Sequence, residues 1–306
     1  MKYFLILLLS FFTLLATAQD KVVSYSYVTF DNDYQNSVRK YIGYDKNFII
    51  KNKDTTKEDH VLDITPLIGW RCYFFNGYIN RFNDYRVNTI YRYNRNLCVN
   101  GSISFLESNS WSPIFYDGFI RYNKGRLSTE VFSEKESVGT PLTNDLRYVS
   151  YTNGLSVDLR ASRRITLVNS IANNRITDGN SRWFYSARII YTLKNNSYAD
   201  IKARRMVGGE WSPYYFSPNQ INQYNIGWGF NRSFSNDLGV KLYFGSGVQI
   251  IDKESMLMLN YDLRLTKKLN KNWNFELSTG SRNFNTYIFN TVNIKFVYTI
   301  TKDINK

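Results

Sequence analysis

The amino-acid sequence predicts an all-β protein, an antiparallel up-and-down transmembrane β-barrel of about 12 to 16 strands. Three observations lead to this prediction. Apolar and polar residues alternate with period two over long segments, short polar breaks separate consecutive segments, and no helical stretch is long enough for a crossover between parallel strands. Aromatic residues also make up 17% of the chain, and many of them lie near segment ends.

The first residues of the chain predict a secretory signal peptide. Lys2 precedes an apolar run, Phe4–Leu15, and the small residues Ala16-Thr17-Ala18 follow it. This order is typical of a cleaved signal, so we expect residues 1–18 to be removed and Gln19 to begin the mature chain. The apolar run is short for a membrane-spanning helix. Residues 19–306 then form the predicted barrel as one domain.

The N-terminal half contains six candidate strands, although its alternation is less regular than in the second half. These are Val22–Phe30, Trp70–Asn80, Arg86–Asn94, Val99–Leu106, Ile114–Tyr122 and Arg126–Ser133. Polar stretches at residues 161–164 and 193–197 separate further segments of comparable length. The pattern is therefore a series of consecutive hairpins rather than strands that alternate with helices.

The C-terminal half alternates more regularly. In residues 223–232, Tyr224, Ile226, Trp228 and Phe230 share one face, while Gly and polar residues share the other. Residues 238–250, 257–266, 273–278 and 292–300 repeat this pattern. Polar breaks at residues 232–237, 251–255, 266–272 and 281–285 predict the turns between these strands.

Alternation alone fits a soluble sandwich as well as a membrane barrel. The segments are roughly 9 to 13 residues long, which matches the 9–11 residues that a tilted strand needs to cross a bilayer, whereas soluble strands average about 5–6. Short turns mix with longer loops at residues 176–182 and 206–221, as they do at the two rims of outer-membrane barrels. These features favour a barrel in lipid of the cell outer membrane over the alternative, a secreted soluble β protein.

Two related segments, SWSPIFYDG from Ser110 and EWSPYYFSPNQ from Glu210, concentrate aromatic residues next to proline. Proline cannot donate to a strand ladder, so these segments are predicted to be loops at a barrel rim. Their aromatic rings could stack on a ligand at the mouth, or they could anchor the rim among lipid headgroups. The candidate binding residues are Trp211, Tyr214, Tyr215, Phe216 and, in the first segment, Trp111.

Few residues of the chain suit catalysis or metal binding. His60 is the only histidine, and no nucleophile elbow or Gly-rich phosphate loop accompanies it. A pair of His60 with a serine is the one enzyme hypothesis, and a solvated loop histidine is the simpler interpretation. We therefore predict no enzyme activity, no catalytic residue, no metal and no cofactor. Cys72 and Cys98 could form a disulfide or remain thiols, because both states occur in exported proteins.

The distribution of charge bears on the partners of the protein. The formal net charge of the chain is +14, but the basic residues are spread along the sequence rather than gathered in one stripe. This argues against nucleic acid as a partner. The positive balance favours a neutral or anionic glycan over a cationic one.

Two short motifs resemble those of a known family. Ile176–Arg182, with Asp178, Gly179, Asn180 and Arg182, resembles a DGNxR-type turn, and Tyr215-Phe216-Ser217-Pro218 resembles a YFSP motif. Both motifs are similar to those of outer-membrane exopolysaccharide-export barrels, which include YaiO-like proteins and the C-terminal barrels of cellulose and poly-N-acetylglucosamine secretion subunits. The resemblance covers about residues 154–295, with the motifs in the expected order.

The resemblance implies a pore or an export or binding barrel for a polysaccharide or oligosaccharide, with Ser217 and Pro218 in the motif loop. The secretion subunits of this family also carry periplasmic tetratricopeptide repeats, whereas this sequence has no helical repeat of about 34 residues. A separate periplasmic repeat-scaffold protein is therefore an expected partner. The alternative is a scaffold or adhesin barrel that has no transport role.

Overall fold

The computed structural model describes residues 20–31, 36–50, 60–75, 78–93, 96–138, 141–215, 217–234, 237–270, 272–284 and 287–300. The signal peptide predicted at residues 1–18 and the candidate residue Phe216 lie outside the described residues. Sixteen antiparallel strands follow one another around a closed barrel, and β16 pairs with β1. The predicted fold class is confirmed, with the strand number at the upper end of the expected range.

The strands are β1 (Asp20–Asp31), β2 (Asn36–Ile50), β3 (His60–Phe75), β4 (Tyr78–Tyr93), β5 (Leu97–Glu107), β6 (Ile114–Lys124), β7 (Leu127–Ser137), β8 (Val149–Arg160), β9 (Ile165–Ile176), β10 (Ser181–Thr192), β11 (Ser197–Val207), β12 (Gln220–Ser233), β13 (Leu238–Ile251), β14 (Glu254–Lys268), β15 (Trp273–Phe284) and β16 (Tyr287–Ile300). One short helix, α1 (Pro141–Asp145), lies between β7 and β8. It is the only helix among the described residues, and it is far too short to cross a membrane.

Alternating residues place two different surfaces on the two sides of the sheet. Large apolar side chains point outward at mid-strand positions, as Ile226 does with 67% of its surface exposed. Their neighbours in sequence point inward and are polar or small, such as Asn225 and Gly227 beside Ile226. Because lipid replaces water around such an outward face, this alternation fits a membrane barrel rather than a soluble sandwich.

The two rims of the barrel differ in the lengths of their connections. One rim carries the connections at residues 108–113, 138–148, 177–180 and 208–219, and we call it the loop rim. The opposite rim carries turns such as residues 125–126, 161–164 and 193–196, together with the first residue of β1 and the last of β16, and we call it the turn rim. Outer-membrane barrels keep short turns on the periplasmic side and longer loops outside, which assigns the loop rim to the exterior.

Buried side chains inside the barrel gather near the loop rim, on one side of the lumen. Tyr73, Phe82, Leu106, Phe115 and Val149 form an apolar cluster that we call the plug. The rings of Tyr73 and Phe82 pack edge to face with centroids 6.1 Å apart. The plug therefore fills the inward face of the barrel beside β3–β6 and the start of β8.

A buried ion pair lies directly against the plug. The Nη2 atom of Arg71 donates to Oδ2 of Asp84 at 2.9 Å, and Nη1 donates to the hydroxyl of Tyr73 at 3.2 Å. The guanidinium carbon of Arg71 lies 5.8 Å from the ring centre of Phe115. A buried charge is tolerated only when it is paired and hydrogen-bonded, and both conditions are met here.

The structure corrects several boundaries that the sequence predicted. The candidate strand Trp70–Asn80 spans a hairpin, since β3 ends at Phe75 and β4 begins at Tyr78. The predicted break at residues 281–285 lies mostly within β15, which continues to Phe284. His60 is the first residue of β3 rather than a loop residue. Cys72 and Cys98 are free thiols on β3 and β5, so the structure contains no disulfide between them.

Candidate functional site

Both proline-containing aromatic segments lie at the loop rim. The first follows β5 and the second follows β11, and six strands separate the two connections. An even number of intervening strands returns the chain to the same rim, so the two segments lie at one mouth of the barrel. The DGN turn after β9 also lies at this rim, between the two segments.

The two family-like motifs contact each other through Asn180. Its Nδ2 atom lies 2.8 Å from the carbonyl oxygen of Glu210, 3.0 Å from the hydroxyl of Tyr215 and 2.9 Å from Oγ of Ser217. Its Oδ1 atom accepts a hydrogen bond from the backbone N–H of Glu210 at 3.1 Å. Asn180 and Ser217 are both buried, so the turn of one motif serves as the anchor for the loop of the other.

Tyr215 completes this contact with its hydroxyl and its ring. The hydroxyl donates to Oδ2 of Asp178 at 2.5 Å, and the guanidinium carbon of Arg182 lies 5.2 Å from the ring centre. Burial, reinforced by the hydrogen bond to Asp178, raises the pKa of Tyr215 above its usual value. The phenol therefore stays protonated and remains a donor at any physiological pH. Gly179 occupies the turn with φ of 97°, a conformation that favours glycine.

Further contacts join the loops of this rim into a chain. The rings of Tyr214 and Tyr148 pack edge to face with centroids 5.9 Å apart, which links residues 208–219 to the connection that contains α1. Arg147 of that connection donates to the carbonyl oxygen of Ser110 at 3.1 Å. Val149 exchanges hydrogen bonds with Thr177 in the DGN turn. The two aromatic segments are therefore connected through the α1 loop.

The candidate mouth aromatics occupy different environments. Trp211 is 79% exposed and Tyr214 is partly exposed at the loop rim. Tyr215 is only 7% exposed, because its ring and hydroxyl are held within the motif contact. Trp111 packs with its ring edge-on to Phe82 and Phe115, at centroid distances of 6.1 and 5.9 Å, as an extension of the plug. Trp211 and Tyr214 are thus the more exposed of these described side chains.

The lumen contains a polar cavity on the side opposite the plug. Its volume is about 440 Å³, and inward residues of β10–β16 line it. Among these are Asn225 and Asn260, whose side-chain Oδ1 atoms are buried and have no hydrogen-bond partner among the described residues. Lys202 and Arg204 add positive charge, and Asp262 adds one carboxylate. The cavity is thus lined by amide side chains beside charged groups.

A stack of aromatic and charged side chains forms one wall of this cavity. The rings of Tyr198 and Tyr243 are stacked with centroids 6.4 Å apart, and the guanidinium carbon of Arg188 lies 5.7 and 5.9 Å from their centres. Arg188 forms an ion pair with Asp200, which also accepts a hydrogen bond from the hydroxyl of Tyr243. The stack holds both tyrosine rings against the barrel wall.

Glycines on β12 make room for the stack. A Cβ atom on Gly229 would lie 2.1 Å from the ring of Tyr198, and one on Gly227 would lie 2.2 Å from the hydroxyl of Tyr243. We did not identify this wall from the sequence. In the sequence, the sign of such a wall is that inward glycines of one strand pair with inward tyrosines of the neighbouring strands. A search for alternating apolar and polar residues does not detect this feature.

The described residues contain no group of three or more His, Cys, Asp or Glu side chains that could hold a metal ion. The described carboxylates of the lumen pair mostly with arginines, as Glu130 does with Arg121 and Asp117 does with Arg86. Paired carboxylates of this kind stabilise the lumenal wall and do not by themselves form a site for acid–base chemistry.

Known proteins resemble this one in fold. No protein-family model and no curated protein matches the sequence. A solved structure described as a bacterial polysaccharide outer membrane secretin is similar with a TM-score of 0.65 and 11% identity, over 92% of this chain and 99% of that chain. OccK5 (OpdH) of Pseudomonas aeruginosa gives a TM-score of 0.51 at 9% identity, over 93% of this chain and 98% of that one.

OccAB3 of Acinetobacter baumannii also gives a TM-score of 0.51, at 8% identity, over 94% of this chain and 100% of that chain. At such low identity these likenesses concern the fold alone. The similarity extends over nearly the whole chain and over nearly the whole length of each solved barrel. The chain folds as a transmembrane β-barrel of the outer-membrane type, as its alternation predicted.

Proposed function

We propose that the protein is a pore or export barrel of the outer membrane that binds a polysaccharide or oligosaccharide during its passage. The observation that carries this proposal is the lumenal cavity beside β10–β16, where the amide side chains of Asn225 and Asn260 lie near a wall of two tyrosine rings. Amide groups exchange hydrogen bonds with sugar hydroxyls, and pyranose rings pack on aromatic faces.

The charge of the cavity supports a neutral or anionic glycan. Arg188 and Asp200 neutralise each other, whereas Lys202 and Arg204 together outnumber Asp262. A cationic chain would meet net repulsion in this part of the lumen. The solved polysaccharide secretin, which has the same fold, supports the same substrate class.

Trp211 and Tyr214 are the proposed capture residues at the mouth. They are the exposed aromatics of the candidate set, and they lie on a loop that the Asn180 contact holds in place. Tyr215, Ser217, Asp178 and Arg182 position this loop, and Trp111 belongs to the plug. The proposal includes no catalytic step, and it includes a separate periplasmic repeat protein that would deliver the chain to the turn rim.

Planar-bilayer recordings with neutral glucose oligomers test the proposal. The wild-type protein should conduct ions, and added oligomers should block the current reversibly. Replacing Trp211 and Tyr214 by Ala should weaken blockage from the loop-rim side by about 5-fold, which corresponds to about 1 kcal/mol of lost aromatic contact. Asn260→Leu should weaken blockage from either side, because it removes a lumenal acceptor.

The matched control is Trp228→Ala, which removes an outward-facing Trp of β12 from the lipid side. Its blockage by oligomers should equal that of the wild type. Blockage that is indifferent to Trp211, Tyr214 and Asn260 would contradict the proposed binding residues.

A barrel without a transport role is the second candidate. The plug and the buried Arg71–Asp84 pair favour it, because they close part of the lumen near the loop rim. This candidate predicts no ion conductance from the folded protein under any voltage. The same recordings therefore separate the two functions.

A further inference from the structure

The outward face of β7–β11 has a different composition near the loop rim from the rest of the lipid-facing surface. Lys135, Arg175 and Arg205 point outward there, each within two residues of the loop-rim end of its strand. No outward position of these five strands carries an acidic residue. None of the three cations forms an ion pair with a described carboxylate. We call this region the outer patch.

Two of these cations share one row with aromatic residues. Lys135 is paired in register with Tyr116 and Tyr151, and Tyr151 is paired with Arg175. The Nζ atom of Lys135 lies 5.7 Å from the ring centre of Tyr151. Arg175 donates from Nε to Oδ1 of Asn173 at 3.1 Å, and this hydrogen bond leaves the N–H groups of its two terminal nitrogens for other acceptors. The row thus presents several unused N–H donors at the level of lipid headgroups.

Amide and hydroxyl groups form the next row toward the membrane centre. Ser133, Asn153, Asn173 and Trp183 are consecutive register partners on β7–β10. Oγ of Ser133 donates to Oδ1 of Asn153 at 2.8 Å, which leaves the amide nitrogen of this exposed side chain for an external acceptor. Such groups are costly against acyl chains, but they suit sugar hydroxyls.

A groove continues the outer patch toward the membrane centre. It has a volume of about 520 Å³, and its outward-facing walls include Leu155, Val157, Ile171, Ala187, Ala203 and Tyr224. Ala187 and Ala203 are paired in register on neighbouring strands, and their small side chains deepen the groove at this point. Its size and apolar walls fit an acyl chain.

From these three layers we propose that the outer patch binds a phosphorylated glycolipid of the leaflet at the loop rim. Lys135, Arg175 and Arg205 hold its phosphates by charge-assisted hydrogen bonds. The Ser133, Asn153, Asn173 and Trp183 row contacts its sugars, and the groove takes an acyl chain. Along β9, Arg175, Asn173 and Ile171 follow one another on the outward face, and this order of cation, amide and apolar side chain matches the order of phosphate, sugar and acyl chain in such a lipid.

Native mass spectrometry of the purified full-length protein in neutral detergent tests this inference. The probes are lipid A, its dephosphorylated form and phosphatidylglycerol. Wild-type protein should bind lipid A at least 5-fold more tightly than either of the other lipids. The triple variant Lys135→Gln, Arg175→Gln, Arg205→Gln should lose about 10-fold in lipid A affinity.

The matched control removes three outward cations from the turn rim: Lys124→Gln, Arg232→Gln and Lys267→Gln. It should keep lipid A affinity within 2-fold of the wild type. Equal losses in the two triple variants, or unchanged binding in the first, would overturn the site. Equal binding of phosphatidylglycerol would overturn the glycolipid assignment.

A second variant keeps the inference testable if the first triple variant does not fold. Asn153→Leu leaves every charge in place and should lower lipid A affinity about 3-fold without changing phosphatidylglycerol binding. If Asn153→Leu affects both lipids equally or neither, the sugar row has no role in recognition and the inference fails.

Discussion

At the scale of single residues, Asn180 joins two connections of the loop rim. Its carboxamide uses both its donor and its acceptor on residues of the loop at 208–219. An aspartate would lose the donor that Nδ2 supplies, because the hydroxyls of Tyr215 and Ser217 already donate to Asp178 and to the carbonyl oxygen of Glu210. The exposed position of Trp211 therefore depends on a buried amide in a different hairpin.

Replacing Asn180 by Ala should release the loop without unfolding the barrel. The change leaves the buried hydroxyl groups of Tyr215 and Ser217 without a donor, which costs about 1–3 kcal/mol. Limited proteolysis within residues 208–219 should then be at least 10-fold faster, since about 1.4 kcal/mol of local stability corresponds to that factor. Asn219→Ala, an exposed change in the same loop, is the control and should leave the rate unchanged.

Equal cleavage rates for Asn180→Ala and wild-type protein would mean that the loop is held by other contacts.

The sequence identified both motifs as separate turns and loops, but it did not predict that they meet. Spacing along the chain places Asn180 and Tyr215 on neighbouring connections of one rim, yet the direction of each side chain depends on turn conformation and on Gly179. These side-chain directions depend on the tertiary structure and cannot be read from the spacing of residues along the chain.

At the scale of elements, each strand is amphipathic because its residues alternate between lipid and lumen. On β8, Leu155 points outward and its neighbour Ser156 points inward, at nearly the same membrane depth. Ser156 is paired in register with Glu130, whose carboxylate faces the same lumen. Adjacent positions therefore experience solvents of opposite polarity.

Two single variants, Leu155→Arg and Ser156→Arg, test which of these positions faces lipid and which faces the lumen, because both introduce the same side chain. Arg at position 155 should lower the free energy of unfolding by about 2–4 kcal/mol, because a guanidinium near mid-bilayer must be desolvated or displaced to the interface. Arg at position 156 should change it by less than about 1 kcal/mol. Urea titration of the protein folded in lipid vesicles measures both values, and equal losses would contradict the two-faced barrel.

Strand faces were predictable from the sequence, whereas some strand ends were not. The regular alternation of residues 223–232 and 238–250 gave the outward faces of β12 and β13 correctly. The candidate strand Trp70–Asn80 was wrong because aromatic residues continue across the connection between β3 and β4. The dipeptide Asn76-Gly77 within it is a strong hairpin signal, and giving it more weight than hydrophobicity would have divided the segment correctly.

At the scale of the whole molecule, the lumen is divided into two unlike halves. The half beside β3–β6 is filled near the loop rim by the plug, with Leu106 and Phe115 almost completely buried. The half beside β10–β16 contains the polar cavity. No alternation pattern could reveal this division, because it depends on which inward residues meet across the closed barrel.

The plug should limit the conductance of the barrel, and one substitution tests this role. Phe115→Ala removes a ring from the inside of the plug, and the vacated volume connects to the lumen. We expect single-channel conductance at least 2-fold above that of the wild type, together with a loss of about 3–5 kcal/mol in stability from the lost packing. The barrel should still form, because all its backbone hydrogen bonds remain.

Phe105→Ala is the matched control, since Phe105 is partly exposed on the outward face of β5, next to the inward Leu106. It removes the same number of atoms from the lipid side and should leave conductance unchanged. A wild-type conductance that equals that of Phe115→Ala would mean that ions bypass the plug through the polar half alone. In that case the plug would serve to brace the loops of the rim, and the passage of a glycan would be confined to the cavity beside β10–β16.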